Sequence, residues 1–144
     1  MEPLTVPGTL DSLDEIARYV IAAAAEAGLE RKAAYRLRLA VDEIATNIVT
    51  YGYERSGLSG SVKVSADLDA ETLTVKLEDQ AIPYNPLETP SPDDLDAPLE
   101  ERDLGGLGVY LTIQGVDRFD YEWRDGSNCN IFVMRRAAPE APSQ

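Results

Sequence analysis

Apolar residues recur along this chain with two different periods, and the change of period divides it. From residue 13 the spacing is helical: Leu13, Ile16, Val20 and Ile21 share one face at ~100° per residue. Ser12-Leu13-Asp14-Glu15 has the form of a capping box, with Ser12 as N-cap and Glu15 reaching back, and Gly28 supplies a stop. A second helix is predicted over residues 30–51. Its stripe Leu37, Val41, Ile44, Ile48 and Tyr51 steps by four, three, four and three, and Gly52 ends it. The period then drops to two. Val62, Val64, Ala66 and Leu68 alternate with polar residues, as do Leu73, Val75 and Leu77, giving two half-buried strands joined at Asp69-Ala70-Glu71. Phe119, Tyr121 and Trp123 alternate, Asp125-Gly126 turns the chain, and Ile131 and Val133 alternate back. Between the pairs lie a Pro-rich acidic stretch, residues 83–103, and a short helix opening around Gly105 to Gly108 and ending near Gly115. The order helix, helix, strand, strand, loop, helix, strand, strand predicts an α+β two-layer sandwich, with a mixed or antiparallel sheet and helices on one face.

Composition adds exclusions. At 144 residues, 44% hydrophobic and 27% charged, the chain fits one globular domain, here residues 1–136, with the Ala-, Pro- and polar-rich tail 137–144 expected to fray. Its 26 acids against 13 Lys and Arg leave a net charge of -13, a field that repels phosphate backbones and anionic lipid heads. No nucleic acid or membrane is expected as a partner. The first ten residues hold no base but do hold Pro3, Pro7 and Gly8, unlike a signal peptide, and the apolar run Tyr19 to Ala25 is far short of the ~20 residues that cross a bilayer. The chain has no histidine and one cysteine, Cys129. Imidazole base catalysis and the familiar zinc sites are thereby excluded, and a lone thiol fits a reducing cytoplasm.

Three segments could carry chemistry. Glu43 and Asn47, within Asp42-Glu43-Ile44-Ala45-Thr46-Asn47, lie four apart on a helix face that borders the apolar stripe. A carboxylate there can accept a hydroxyl proton, and an amide oxygen is a hard ligand suited to Mg²⁺. Asp79-Gln80-Ala81-Ile82-Pro83-Tyr84 follows a strand, where an Asp can accept from an exocyclic amine. Leu104-Gly105-Gly106-Leu107-Gly108 sets three glycines in four residues before an apolar helical segment, so that backbone amides can approach an anion. Taken singly, each has a plainer reading: a solvated helix flank, a strand exit, a glycine hinge.

Taken in order, the three segments resemble the Bergerat-type ATP site of the GHKL ATPases, the superfamily of gyrase, Hsp90 and the histidine kinases. Asp42 to Asn47 corresponds to the N box, Asp79 to Pro83 to the first glycine box and Gly105 to Gly108 to the second. Within the superfamily the chain is most similar to the small bacterial anti-sigma-factor serine/threonine kinases. The similarity rests on the single-domain length, Tyr51-Gly52-Tyr53, Pro83-Tyr84-Asn85-Pro86, Gly105 to Leu111 and the hairpin Arg124-Asp125-Gly126-Ser127-Asn128, and it spans residues 4–136.

The resemblance implies ATP and Mg²⁺ as cofactors. It would make Asn47 the metal ligand, Glu43 the base that deprotonates a partner's serine, and Asp79 the acceptor for the adenine amine. Ala81 and Pro83 would lie in the adenine turn, and Gly105, Gly106, Leu107 and Gly108 would contact the phosphates. Residues 87–104 would form the lid. The implied partners are a STAS-type anti-anti-sigma protein, as substrate, and a sigma factor, with a homodimer as the assembly and the cytoplasm as the location. The absent histidine agrees with phosphorylation of another protein's serine. Two positions depart from the pattern: Ala81 stands where the first box has glycine, and Asn130 where a threonine near adenine is usual. If the turn needs positive φ, the Ala81 Cβ costs about 1 kcal/mol; if the glycine instead makes room for the adenine ring, the added methyl lowers ATP affinity more. The alternatives are a catalytically weak or inactive module that sequesters a regulator, and a nucleotide-sensing GHKL domain of another pathway.

Overall fold

The computed structural model describes residues 1–88 and 112–136. The lid segment beyond residue 88, the glycine-rich box 105–108 and the tail 137–144 lie outside the described residues. The elements are β1 (Leu4–Pro7), α1 (Leu13–Ala27), α2 (Arg31–Asn47), β2 (Ser61–Leu68), β3 (Thr72–Asp79), β4 (Arg118–Arg124) and β5 (Ser127–Arg135). The strands form one sheet in the order β1-β2-β3-β5-β4, every described pairing antiparallel. The architecture is the expected α+β sandwich, and the mixed-sheet option gives way to an antiparallel one.

The sheet's register explains how the helices are seated. Cross-strand partners line up in rows on the buried face: Leu68–Leu73–Met134, Ala66–Val75–Phe132–Phe119, and Leu4–Val64–Leu77–Asn130–Tyr121. Phe119 and Phe132 meet edge to face with centroids 5.1 Å apart, an arrangement worth more than its buried area alone. Ile16, Val20, Ala23 and Ala27 of α1 and Leu37, Ala40, Val41 and Ile44 of α2 close over these rows. At ~25 cal/mol per Å² of apolar surface, this layer is the fold's main source of stability.

Several local expectations are corrected. Ser12 makes no capping bond; it is buried in helical conformation, with its hydroxyl 3.4 Å from that of Thr9, because a short 3-10 turn, Leu10–Ser12, leads directly into α1. Ile21 points to solvent, and Tyr19, Ala23 and Ala24 complete the buried stripe instead. In β5 the deeply buried residues are Phe132 and Met134, not Ile131 and Val133, which lie half-buried on the opposite face. β1 arises from a segment whose Pro3, Pro7 and Gly8 read as breakers: Val6 is buried beside Val62 at the sheet's edge, where proline is tolerated.

The predicted turns hold. Gly28 caps α1 in the left-handed region at φ 71°. Asp69 Oδ1 accepts from the amides of Glu71 and Thr72, each at 2.7 Å. Asp125 and Gly126, at φ 51° and 78°, make a two-residue hairpin between β4 and β5.

Candidate functional site

The second helix does not run regularly to Tyr51. It ends at Asn47 and widens into a π-helical segment, Ile48–Glu54, with i to i+5 bonds from Arg55 N to Thr50 O and from Leu58 N to Tyr53 O, both 2.9 Å. The Thr46 and Thr50 hydroxyls each donate to the carbonyl four residues back at 2.7 Å, which favours bending at this point. Such widened turns concentrate at functional sites. Gly52 is therefore inside the turn rather than its end, and it is buried.

This turn forms one wall of a cleft of about 140 Å³, open to solvent. Ile44, Asn47, Ile48, Tyr51 and Gly52 line it from the helix side. Asp79, Asn128 and Asn130 line it from β3 and β5, and Ala81, Ile82, Tyr84 and Pro86 from the loop after β3. The walls are mainly apolar with a few convergent polar groups, the usual make-up of a small-molecule site.

The polar groups fall at one end of the sheet's buried face. Asp79 closes β3 and is fully buried. Its Oδ1 accepts from the Ala81 amide at 3.0 Å and from Asn128 Nδ2 at 2.9 Å, while its Oδ2 is sealed from solvent and has no partner among the described residues. Burial pushes this carboxyl above its ordinary range, against the opposing pull of those two donors. An acceptor-only atom enclosed in an apolar cleft lacks a donor, and leaving it so is costly.

Asn128 holds the loop in place. Its Nδ2 also donates to Ile82 O at 3.0 Å, and its Oδ1 accepts from the Tyr84 amide at 3.0 Å and from the Tyr121 hydroxyl. Beneath the loop, the Tyr53 hydroxyl donates to Ser61 O at 2.7 Å and accepts from the Gln80 amide at 2.9 Å, tying the π-helical segment to β2 and to the end of β3. Sequence spacing assigns no role to Asn128, because its partners in the loop and on β3 lie 44 to 49 residues away.

This fold recurs in a known family. Residues 6–136 match the profile of the histidine kinase-like ATPase domain, nearly the whole chain. The chain belongs to the histidine kinase-like ATPase family. Two solved structures share its fold. One is the histidine kinase domain of the blue-light activated histidine kinase EL346 of Erythrobacter litoralis, at 20% identity and TM-score 0.52 over 88% of this chain and 60% of that one. The other is the Acinetobacter baumannii histidine kinase AdeS, at 13% identity and TM-score 0.51 over 94% of this chain and 69% of that one. This chain thus spans less than two thirds of the first structure. Compared by sequence with curated proteins, it matches none.

As a histidine kinase-like ATPase domain, the chain brings Asn47, Asp79 and Ala81 to one cleft. Glu43 does not line it. It lies one turn before Asn47, about 6 Å along the helix, half-buried and without a side-chain partner among the described residues. Burial raises its carboxyl. The neighbouring Asp42 instead pairs with Arg38 at 3.5 Å. Pro83 is exposed and outside the lining, although Ile82 and Tyr84 on either side contribute to it. Gly105, Gly106, Leu107 and Gly108 lie outside the described residues.

Ala81 resolves differently from its expectation. Among the described residues Asp125 alone, apart from glycines, has positive φ, so the Ala81 Cβ carries no backbone strain. Its methyl is buried against Gly52, where an added Cβ would come within 2.8 Å of it. The missing side chain at 52 accommodates the extra one at 81.

The site suits a purine nucleotide with a divalent cation. Asp79 Oδ2 lacks the donor that an exocyclic amine supplies. Asn47 presents one amide oxygen, and no group of three or more acidic or thiol ligands exists among the described residues, so a magnesium ion would draw its other ligands from phosphate and water. No helix among the described residues is long and apolar enough to cross a membrane.

Proposed function

We propose that this domain is an ATP- and Mg²⁺-dependent protein-serine kinase of the anti-sigma, partner-switching type, acting on a serine of a STAS-type antagonist protein. The observation that carries the nucleotide half of this reading is the buried Asp79 carboxyl, with no partner for its Oδ2 among the described residues, in the lining of a mainly apolar cleft. Ile44, Ile48 and Ile82 supply flat apolar contact for a purine, and Asp79 accepts its amine. The bound metal would neutralise charge on the triphosphate, with Asn47 as its protein ligand.

Glu43 supports the transfer half. It stands one turn from Asn47, outside the base pocket, unpaired and with a raised carboxyl, as suits a group that takes a proton from a hydroxyl presented at the cleft mouth. Phosphoryl transfer asks little more of a protein than positioning and charge stabilisation. These 144 residues contain no histidine, so no phosphohistidine forms within them. The antagonist and, when it is displaced, a sigma factor would compete for the domain, which would act as a homodimer in the cytoplasm.

The test is transfer of labelled phosphate from ATP, with Mg²⁺, to STAS-type proteins from the same organism. The expected result is phosphoserine on one of them, with Glu43→Gln lowering the rate at least ~100-fold while ATP affinity stays within about twofold. ATP binding with no transfer to any of them would replace this reading with a nucleotide sensor.

A further inference from the structure

The two helices carry opposite charge at their starts. Helix α1 opens with Asp14 and Glu15, which suit the positive end of a helix dipole, whereas the first turn of α2 holds no acid and carries Arg31 and Lys32. Residues 31–41 contain four bases and no acid, in a chain of net charge -13. Of these bases Arg38 pairs with Asp42 at 3.5 Å. Arg31, Lys32 and Arg36 are exposed and make no ion pair or hydrogen bond among the described residues. Bases at the helix start oppose its dipole, and these gain no pairing in return, so they do not serve the helix.

Their spacing ties them to the candidate site. Lys32, Arg36, Leu39 and Glu43 step by four, three and four, one stripe along α2 that ends a turn short of Asn47. Tyr35, 59% exposed, and Leu39, 39% exposed, set apolar area beside the bases. A Cβ added at Gly115 would meet Cβ and Cγ of Arg36 at 3.6 and 3.7 Å, so the backbone there steadies the Arg36 stem while the residue stays exposed.

We propose that this stripe is the docking surface for the substrate protein, which carries an acidic patch beside its acceptor serine. The proposal rests on the kinase reading above and deepens it. At 1.5 Å of rise per residue, Arg36 lies about 10 Å and Lys32 about 16 Å from Glu43 along the helix. A serine hydroxyl at Glu43 then sets the partner's carboxylates at those distances, about three and five residues away in an extended segment. Tyr35 and Leu39 take the apolar contact, since tyrosine and arginine are the side chains that interface centres favour. A duplex or an anionic bilayer would spread its charge over the whole acidic chain, whereas a protein's acidic patch confines it to the stripe, within a Debye length of about 10 Å. A second copy docked here about a two-fold axis would set bases against bases.

The test is steady-state transfer from ATP, with Mg²⁺, to STAS-type proteins from the same organism. It compares wild type, the stripe variant Lys32→Glu with Arg36→Glu, and a control, Lys76→Glu with Arg135→Glu, which makes the same change of charge on the sheet's outer face. The stripe variant should raise KM for the protein at least about tenfold, with kcat and ATP affinity within about twofold, and the loss should shrink as salt rises from about 50 to about 300 mM. Its melting temperature should not fall, because acids suit the start of a helix. Tyr35→Ala should also raise KM, with little dependence on salt, and the control should match wild type. An unchanged KM in the stripe variant, or an equal rise in the control, would overturn the docking surface and leave the kinase reading standing. A lower sedimentation coefficient for the stripe variant would assign the face to a second copy and overturn the proposal. No transfer by wild type to any of these proteins would overturn the kinase reading and this proposal together.

Discussion

Strands β3 and β5 run side by side through two environments, and their two halves are stabilised in opposite ways. At one end Leu73 pairs with Met134 and Val75 with Phe132, apolar against apolar under the helices. At the other, Leu77 meets Asn130 and Asp79 meets Asn128, still almost without solvent contact. The first half is satisfied by packing alone. The second carries two acceptors that nothing among the described residues satisfies, Asp79 Oδ2 and Asn130 Oδ1. Burial is equal in the two halves, so along these two strands it is the polar groups, not burial, that mark the cleft end; the Tyr19 hydroxyl on α1 is also buried without a partner among the described residues, outside the cleft. The contrast repeats within the polar half, where Asn128 commits both polar atoms to the loop and its neighbours and Asn130 Oδ1 has no partner among the described residues.

The largest effect that would break this comparison falls on Asn128. Asn128→Ala should destabilise the domain by about 3 kcal/mol, because it strands Ile82 O, the Tyr84 amide and part of the Asp79 carboxylate at once. Urea denaturation measures this loss; a cost near that of an ordinary surface substitution would mean that the network is not what holds the loop.

Next in size is the contact between Gly52 and Ala81. Gly52→Ala should cost about 2 kcal/mol by overpacking a Cβ within 2.8 Å of another. Combining it with Ala81→Gly should recover most of that loss in a double-mutant cycle. Ala81→Gly alone should tighten ATP binding a few-fold by removing a methyl from the cleft wall. Additive costs in the cycle, or weaker ATP binding, would show that the two residues do not share one space.

The smallest effect is in pH. Burial, opposed by Asn128 and Ala81, raises the folded-state pKa of Asp79 above its ordinary value. The folded protein then binds this proton more tightly than the unfolded chain does. Its contribution to stability falls as pH climbs from the unfolded value through the folded one, by at most ~1.4 kcal/mol per pH unit, and is level above that. Glu43 and Asp42 shift in the same direction. Asp79→Asn should flatten the decline in a denaturation series across acidic pH; identical slopes for the two proteins would contradict the assigned burial cost.

The apolar half of this comparison is easier to read from the sequence than the polar half. Alternation in residues 62–77 marks β2 and β3 because one face is buried and the other wet. It misjudges β5, since that strand carries apolar residues on both faces, Phe132 and Met134 inward and Ile131 and Val133 outward. The end of α2 is obscured because the apolar stripe continues through Ile48 and Tyr51 while the backbone widens beneath it. Asp79 and Asn47 are legible from the order of motifs. Asn128 is not, since its role depends on a strand pairing that joins it to Asp79, 49 residues away.

The proposed function has Asp79 take the amine of a bound base, and Asp79→Asn tests this most directly. To keep accepting from Asn128 Nδ2 and the Ala81 amide, the new side chain must turn its oxygen toward them and its amide hydrogens toward the cleft, donor against donor. Calorimetric titration with ATP and Mg²⁺ should show binding to wild type and a loss of about 100-fold in Asp79→Asn, with the variant still folded. Equal ATP affinity in the two proteins would contradict the account.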